Sequence, residues 1–129
     1  MSFTTAELDF LRAQPIGRLC TIGSGGQPQI RPVGVHLGPD GTVDIVGHAL
    51  ASTQKWRNVI GNPLAAFIVD EVTSVTPPRA RGIEVRGTAK IRPGEGSTTG
   101  GLSGDIIRLT PSRIIAWGID GEGTRARNI

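Results

Sequence analysis

Cysteine is almost absent from this chain. Cys20 stands alone among 129 residues, which excludes an intramolecular disulfide framework and any zinc site built on thiolates, and fits a reducing, cytoplasmic setting. Aromatic residues are nearly as scarce, with three Phe, two Trp and no Tyr. A core must therefore be built from Val, Ile and Leu, a mix that favours strands. Lysine occurs twice against twelve arginines. No apolar stretch approaches the roughly 20 residues that a membrane span needs. Met1 to Thr5 lack the basic and apolar regions of a signal peptide. The expectation is a cytoplasmic protein with no membrane partner.

Glycine and proline are plentiful, at 19 and 9. They fall between short apolar runs and read as turns, without a collagen-like period. The length suits a single domain over residues 1–129. A net charge of +3 and an isoelectric point near 10.0 make anionic partners plausible without choosing one.

Thr4 and Glu7 have capping-box spacing, with Phe3 and Leu8 placed as a hydrophobic staple, so a helix runs from Thr5 to about Ala13 and closes before Pro15. From Arg18 the pattern becomes a three-stranded antiparallel meander. Its strands are 18–22, 29–37 and 42–47, separated by Ser24-Gly25-Gly26 and by Gly38 to Gly41. Pro32 removes one ladder hydrogen bond and marks an edge or a bulge. A second short helix, entered through Ser52, ends at Gly61-Asn62-Pro63. The apolar run 64–69 reads as a buried strand, residues 71–81 as a loop, and 82–92 as a strand with Ile83, Val85, Gly87, Ala89 and Ile91 on one face. Residues 93–104 form a flexible Gly-rich loop. Two more strands, 105–109 and 113–119, flank a turn at Thr110-Pro111-Ser112, and a polar tail, frayed at the end, covers 120–129. The sum is a mainly β protein, a small antiparallel barrel of six to seven strands with short helices.

No nucleophile-elbow, zinc-helix or phosphate-loop motif occurs. His36 and His48 fall on different strands, without a carboxylate at metal-ligand spacing, so both read as structural and no metal is expected. No side chain is nominated as catalytic; a cofactor would carry the reactive atoms. The strongest constellation is Ser52, Thr53, Gln54 and Lys55 at a helix start, with Arg31 on a preceding strand. Free N–H groups, two hydroxyls and two cations together make a phosphate site. A plainer reading is equally open: Ser52 caps the helix while Lys55 and Arg31 are solvated. Binding of nucleic acid is disfavoured, because five scattered aromatics offer no stacking platform.

Five segments in order carry a resemblance: Arg31-Pro32-Val33-Gly34, Thr53-Gln54-Lys55-Trp56-Arg57-Asn58 leading to Asn62-Pro63, Ala66 to Asp70, Arg81 to Gly87, and Ser112 to Gly118. Together they resemble the pyridoxamine 5′-phosphate oxidase-like split-barrel flavoproteins, and within them the branch of coenzyme F420-dependent oxidoreductases. The resemblance implies an FMN-binding type of split barrel, homodimeric, with a flavin or deazaflavin at the subunit interface. It implies that Arg31, Thr53, Gln54 and Lys55 face the phosphate, that Pro32, Val33 and Gly34 run beside the ring, and that His48 and Ala49 touch the cofactor. It sets Trp117 either at the ring or in the core, with packing first. The function it implies is reduction of a small unsaturated substrate by hydride transfer from reduced F420, with FMN as the alternative cofactor. A carrier of flavin or haem without turnover is the alternative of another class. Arg79 and Arg81 are open between contact with an anionic cofactor tail and a surface role. A pyridoxamine phosphate clamp is missing from the C-terminus, which argues against vitamin B6 oxidation.

Overall fold

Thr4 begins the first helix as its spacing predicts: its hydroxyl accepts from the Glu7 N–H at 3.1 Å, and Glu7 returns the bond by accepting from the Thr4 N–H at 2.9 Å. The computed structural model describes residues 2–129. Helix α1 (Thr5–Ala13) leads into strands β1 (Ile16–Ile22), β2 (Pro28–Gly34), β3 (His36–Leu37) and β4 (Val43–Ile45). Helix α2 (Gln54–Gly61) follows, then strands β5 (Leu64–Ser74), β6 (Arg79–Arg92), β7 (Ile106–Trp117) and β8 (Thr124–Asn128).

All the strand pairings are antiparallel, in the order β2-β1-β5-β6-β7-β4-β3, and β8 adds to the C-terminal half of β7. The two ends of this order, β2 and β3, are separated in the chain by Val35 alone. A sheet whose opposite edges are joined by one residue has to curl until those edges meet, and the result is a barrel. Its interior holds Leu19, Ile45, Phe67, Ile83, Ile107 and Leu109, none more than 2% exposed. The mainly β split-barrel expectation holds, with eight strands in place of six to seven.

Several boundaries differ from the sequence reading. The meander is split: β4 does not continue from β2 but pairs with β3 and β7, because the chain crosses from one barrel edge to the other at Val35. Pro32 lies on an edge strand, as its missing donor requires. The run 64–69 is buried on one face only. Ala65, Phe67 and Val69 point inward while Leu64 is 59% exposed, since a barrel wall has an outside.

Residues 71–81 are not a loop but the tip of the β5–β6 hairpin. Glu71 and Arg81 are directly opposed in its ladder and bonded at 2.6 Å. Hydrogen bonds from Gln14 and then from Arg81 hold the Glu71 carboxyl below the usual carboxylate range. Thr110-Pro111-Ser112 is a bulge inside one continuous strand, not a turn. Gly87 faces Pro111 there, and any Cβ at Gly87 would overlap the Thr110 carbonyl, so only glycine permits the approach. In the tail, Thr124–Asn128 pair with β7, and Arg127 bonds both oxygens of Glu7 as well as the Ser2 carbonyl. That buried carboxylate, 1% exposed, joins α1 to β8.

Candidate functional site

α2 starts one residue later than the sequence reading puts it. A 3-10 turn at Leu50–Ser52 comes first, and Thr53, not Ser52, caps the helix. The Thr53 hydroxyl donates to the Leu50 carbonyl at 2.6 Å and accepts from the Trp56 N–H at 3.4 Å. It is therefore committed to the backbone, while Ser52 remains exposed beside it. Gln54 is committed as well. Its Nε2 donates to Asn58 Oδ1 at 2.8 Å and its Oε1 accepts from Arg57 at 2.9 Å. Arg57 also donates to the Ser52 carbonyl at 3.2 Å, binding the capping turn to the helix.

Lys55 and Arg31 come together at this point, one on the first turn of α2 and the other on β2. The Lys55 amine is held below the usual lysine range, first by partial burial and then by the charge of Arg31. Six ion pairs occur among the described residues, and neither cation belongs to one. Among the described residues Arg31 bonds only the carbonyl of its neighbour Ile30, at 3.0 Å. Two adjacent cations without a carboxylate, next to a helix N-terminus, repel each other until an anion arrives. The donor chemistry therefore fits a phosphate: a bidentate guanidinium, an ammonium, a free hydroxyl at Ser52 and the helix N–H groups.

Other candidates lie around this pair unevenly. Pro32 is exposed and Val33 points into the core on β2. Gly34 carries the His36 ring over it, since a Cβ there would stand 2.9 Å from Nε2. His48 and Ala49 are exposed, but they belong to the segment after β4 and not to a strand as the sequence reading has it. The chain leaves the ladder early there because Gly47 and His48 are held by the Gly-rich loop. His48 Nδ1 meets the Gly101 carbonyl at 2.9 Å, and the Ser103 N–H donates to the Gly47 carbonyl at 2.9 Å.

Trp117 lies on β7, four strands along the sheet from Arg31 on β2. Its ring stacks over Gly82, which faces it across the ladder, whereas α2 meets β6 at the other end, where the Ala89 N–H donates to the Pro63 carbonyl at 2.7 Å. Arg81 is engaged by Glu71 and lies 5.0 Å from the centre of the Phe10 ring. Arg79 forms no ion pair among the described residues and lines an open concavity of 370 Å³ with Gly118 and Glu122. No cluster of three metal-ligating side chains occurs among the described residues.

The residue that sequence reasoning missed is Asn58. It is 5% exposed and donates to Thr21 Oγ1 at 3.0 Å and Gln29 Oε1 at 2.9 Å. A polar residue on the inner side of an amphipathic helix was the available signal.

The family described as pyridoxamine 5′-phosphate oxidase matches residues 3–118. A protein of Streptomyces rimosus subsp. rimosus, named 5a,11a-dehydrotetracycline/5a,11a-dehydrooxytetracycline reductase, is 39% identical over 139 aligned residues that take in 100% of this chain and 94% of the relative. A conserved hypothetical protein of Mycobacterium tuberculosis has a similar structure, with a TM-score of 0.69 at 22% identity over 89% of this chain and 84% of that one. An F420 reductase is similar with a TM-score of 0.62 at 22% identity, over 82% of this chain and 94% of that one. At such identities the structural likeness speaks for the fold alone. The family match over nearly all of the barrel goes further, and the chain belongs to the pyridoxamine 5′-phosphate oxidase family of oxidoreductases.

Proposed function

We propose that this oxidoreductase is a reductase that holds coenzyme F420 by its phosphate between Arg31 and Lys55 and reduces an unsaturated small molecule. The observation that carries this is the pair of adjacent, unpaired cations at the start of α2. When bound, the reduced deazaflavin supplies the hydride, from C5 of its ring. The protein's part is binding and orientation. Arg31, Lys55, Ser52 and the α2 N–H groups would hold the phosphate, and Pro32 to Gly34 with His48 and Ala49 would border the ring. Thr53 and Gln54 act behind them, by fixing the helix start. The S. rimosus relative's name makes unsaturated polycyclic compounds the first acceptors to try.

A second copy of the chain completes the site in this reading. One stretch of the outer wall across β1 and β5 is mostly apolar: Leu64 is 59% exposed, and Cys20, Ile22 and Ala66 lie beside it in a shallow concavity of 280 Å³ bordered by Arg86 and Ser112. An apolar patch on a small barrel is suited to a C2 contact, which would bring elements of the partner, Trp117 among them, towards the open cation pair.

Parallel titrations with F420 and with FMN test the proposal, read by quenching of the buried Trp56 next to Lys55. Micromolar binding of F420 and weaker binding of FMN is the expected result, followed by turnover of an enone acceptor. FMN binding alone would move the protein to the flavin-dependent reading. Tight binding without reduction of any acceptor would make it a carrier. Binding of neither would overturn the assignment.

A further inference from the structure

Asn58 stands one helical turn after Gln54, with its side chain turned into the protein. Its nitrogen donates both to Thr21 on β1 and to Gln29 on β2, and its oxygen accepts from Gln54. Three of the bonds that a carboxamide can make are thus in use. Gln29 is itself confined: it lies over Gly23, where any Cβ would collide with the Gln29 amide. Gln29 and Arg31 are two residues apart on one strand and so project from the same side. Gln54 precedes Lys55. The hydrogen-bonded chain Gln29–Asn58–Gln54 therefore connects the neighbour of one cation to the neighbour of the other.

Two like charges on long side chains separate unless their attachment points are fixed. A buried carboxamide suits that task because it carries no charge of its own and its bonds set direction as well as distance. We infer that Asn58 is a positioning residue for anion recognition, setting the gap between Arg31 and Lys55 through its bond to Gln29, while its bond to Thr21 only anchors the helix. The inference deepens the proposed phosphate site and rests on it for its role, but its first test does not need a cofactor.

Three variants separate the two bonds. Gln29→Met removes the link to β2, Thr21→Val removes the link to β1, and Asn58→Leu removes both. The ligand-free readout is the pH profile of Lys55 acylation by a small amine-reactive reagent, followed by mass spectrometry. The cations near Lys55 are Arg31 on β2 and, on α2 itself, Arg57, whose guanidinium is bonded to Gln54 and Ser52. In Gln29→Met the Lys55 profile should move towards higher pH as Arg31 drifts away, and the Kd for F420 or FMN should rise about fivefold or more. In Thr21→Val the profile should stay in place and Kd should change less than about twofold, even though the urea midpoint falls. Equal effects of the two substitutions, or an unmoved Lys55 profile in a folded Gln29→Met protein, would overturn the inference. Asn58→Leu should behave as Gln29→Met does; if it does not fold, the other two variants decide. A wild-type protein that binds neither cofactor would end the phosphate-site reading, yet the Lys55 profiles would still test the clamp.

Discussion

Among single residues, Lys55 carries a charge that no carboxylate among the described residues pairs. It is a half-buried cation, disfavoured by burial and by Arg31, and an arriving anion removes both costs. Lys55→Ala is expected to weaken cofactor binding by about 2 kcal/mol, the worth of a charge-assisted hydrogen bond, while the urea midpoint changes little. Loss of affinity matched by loss of stability would show a scaffold role instead. The pH dependence has a definite sign. Because the folded-state pKa of Lys55 is lowered, the unfolded chain binds more protons between that pKa and the ordinary lysine value, and stability gains from this group as pH rises through that window. Cofactor affinity falls over the same window as the ammonium loses its proton. The difference between wild type and Lys55→Met in urea titrations at several pH values measures the first effect, and Kd against pH measures the second.

Arg31 and Lys55 were legible in the sequence because strand, turn and helix start have recognisable local signals. Which hydroxyl caps α2 was not, since the 3-10 turn before it shifts the helix by one residue and exchanges Ser52 for Thr53. Asn58 was illegible for a different reason. Its partners lie 37 and 29 residues away, a relation created only when α2 packs on the β1–β2 hairpin.

At the level of elements, three of the errors of sequence reading concern polar strand segments. The β5–β6 tip, the Pro111 bulge and β8 lack the apolar alternation that marks a half-buried strand, and they are strands because of their partners. Glu71 opposite Arg81, Gly87 opposite Pro111, and Arg127 bonded to Glu7 supply the reasons. By contrast α1, with its capping box, and β6, with its two distinct faces, could be read directly. The α1–β8 junction depends on one buried carboxylate. Glu7→Ala removes the capping partner of Thr4 and leaves Arg127 without its anion. The expected cost is about 3 kcal/mol, with amide exchange over residues 124–128 accelerated well beyond that of β6. Uniform acceleration over both strands would mean that the junction has no local role.

For the molecule as a whole, the fold class followed from composition and periodicity, but the closure of the barrel did not, because strand order is a property of pairing. The proposed dimer is tested on the outer wall. Leu64→Asp is expected to give a monomer by sedimentation with a folded circular dichroism spectrum, and to lower cofactor affinity at least about tenfold if the partner lines the site. A variant that stays dimeric would place the interface elsewhere. A monomer with unchanged affinity would confine the site to one chain.

The joint at Val35 has a mechanical meaning. From β2 round to β3 the barrel wall is woven, each strand laced to the next, but between β2 and β3 it is held by a single covalent thread. A woven tube with one seam yields at the seam, so the wall's compliance is concentrated a few residues from Arg31.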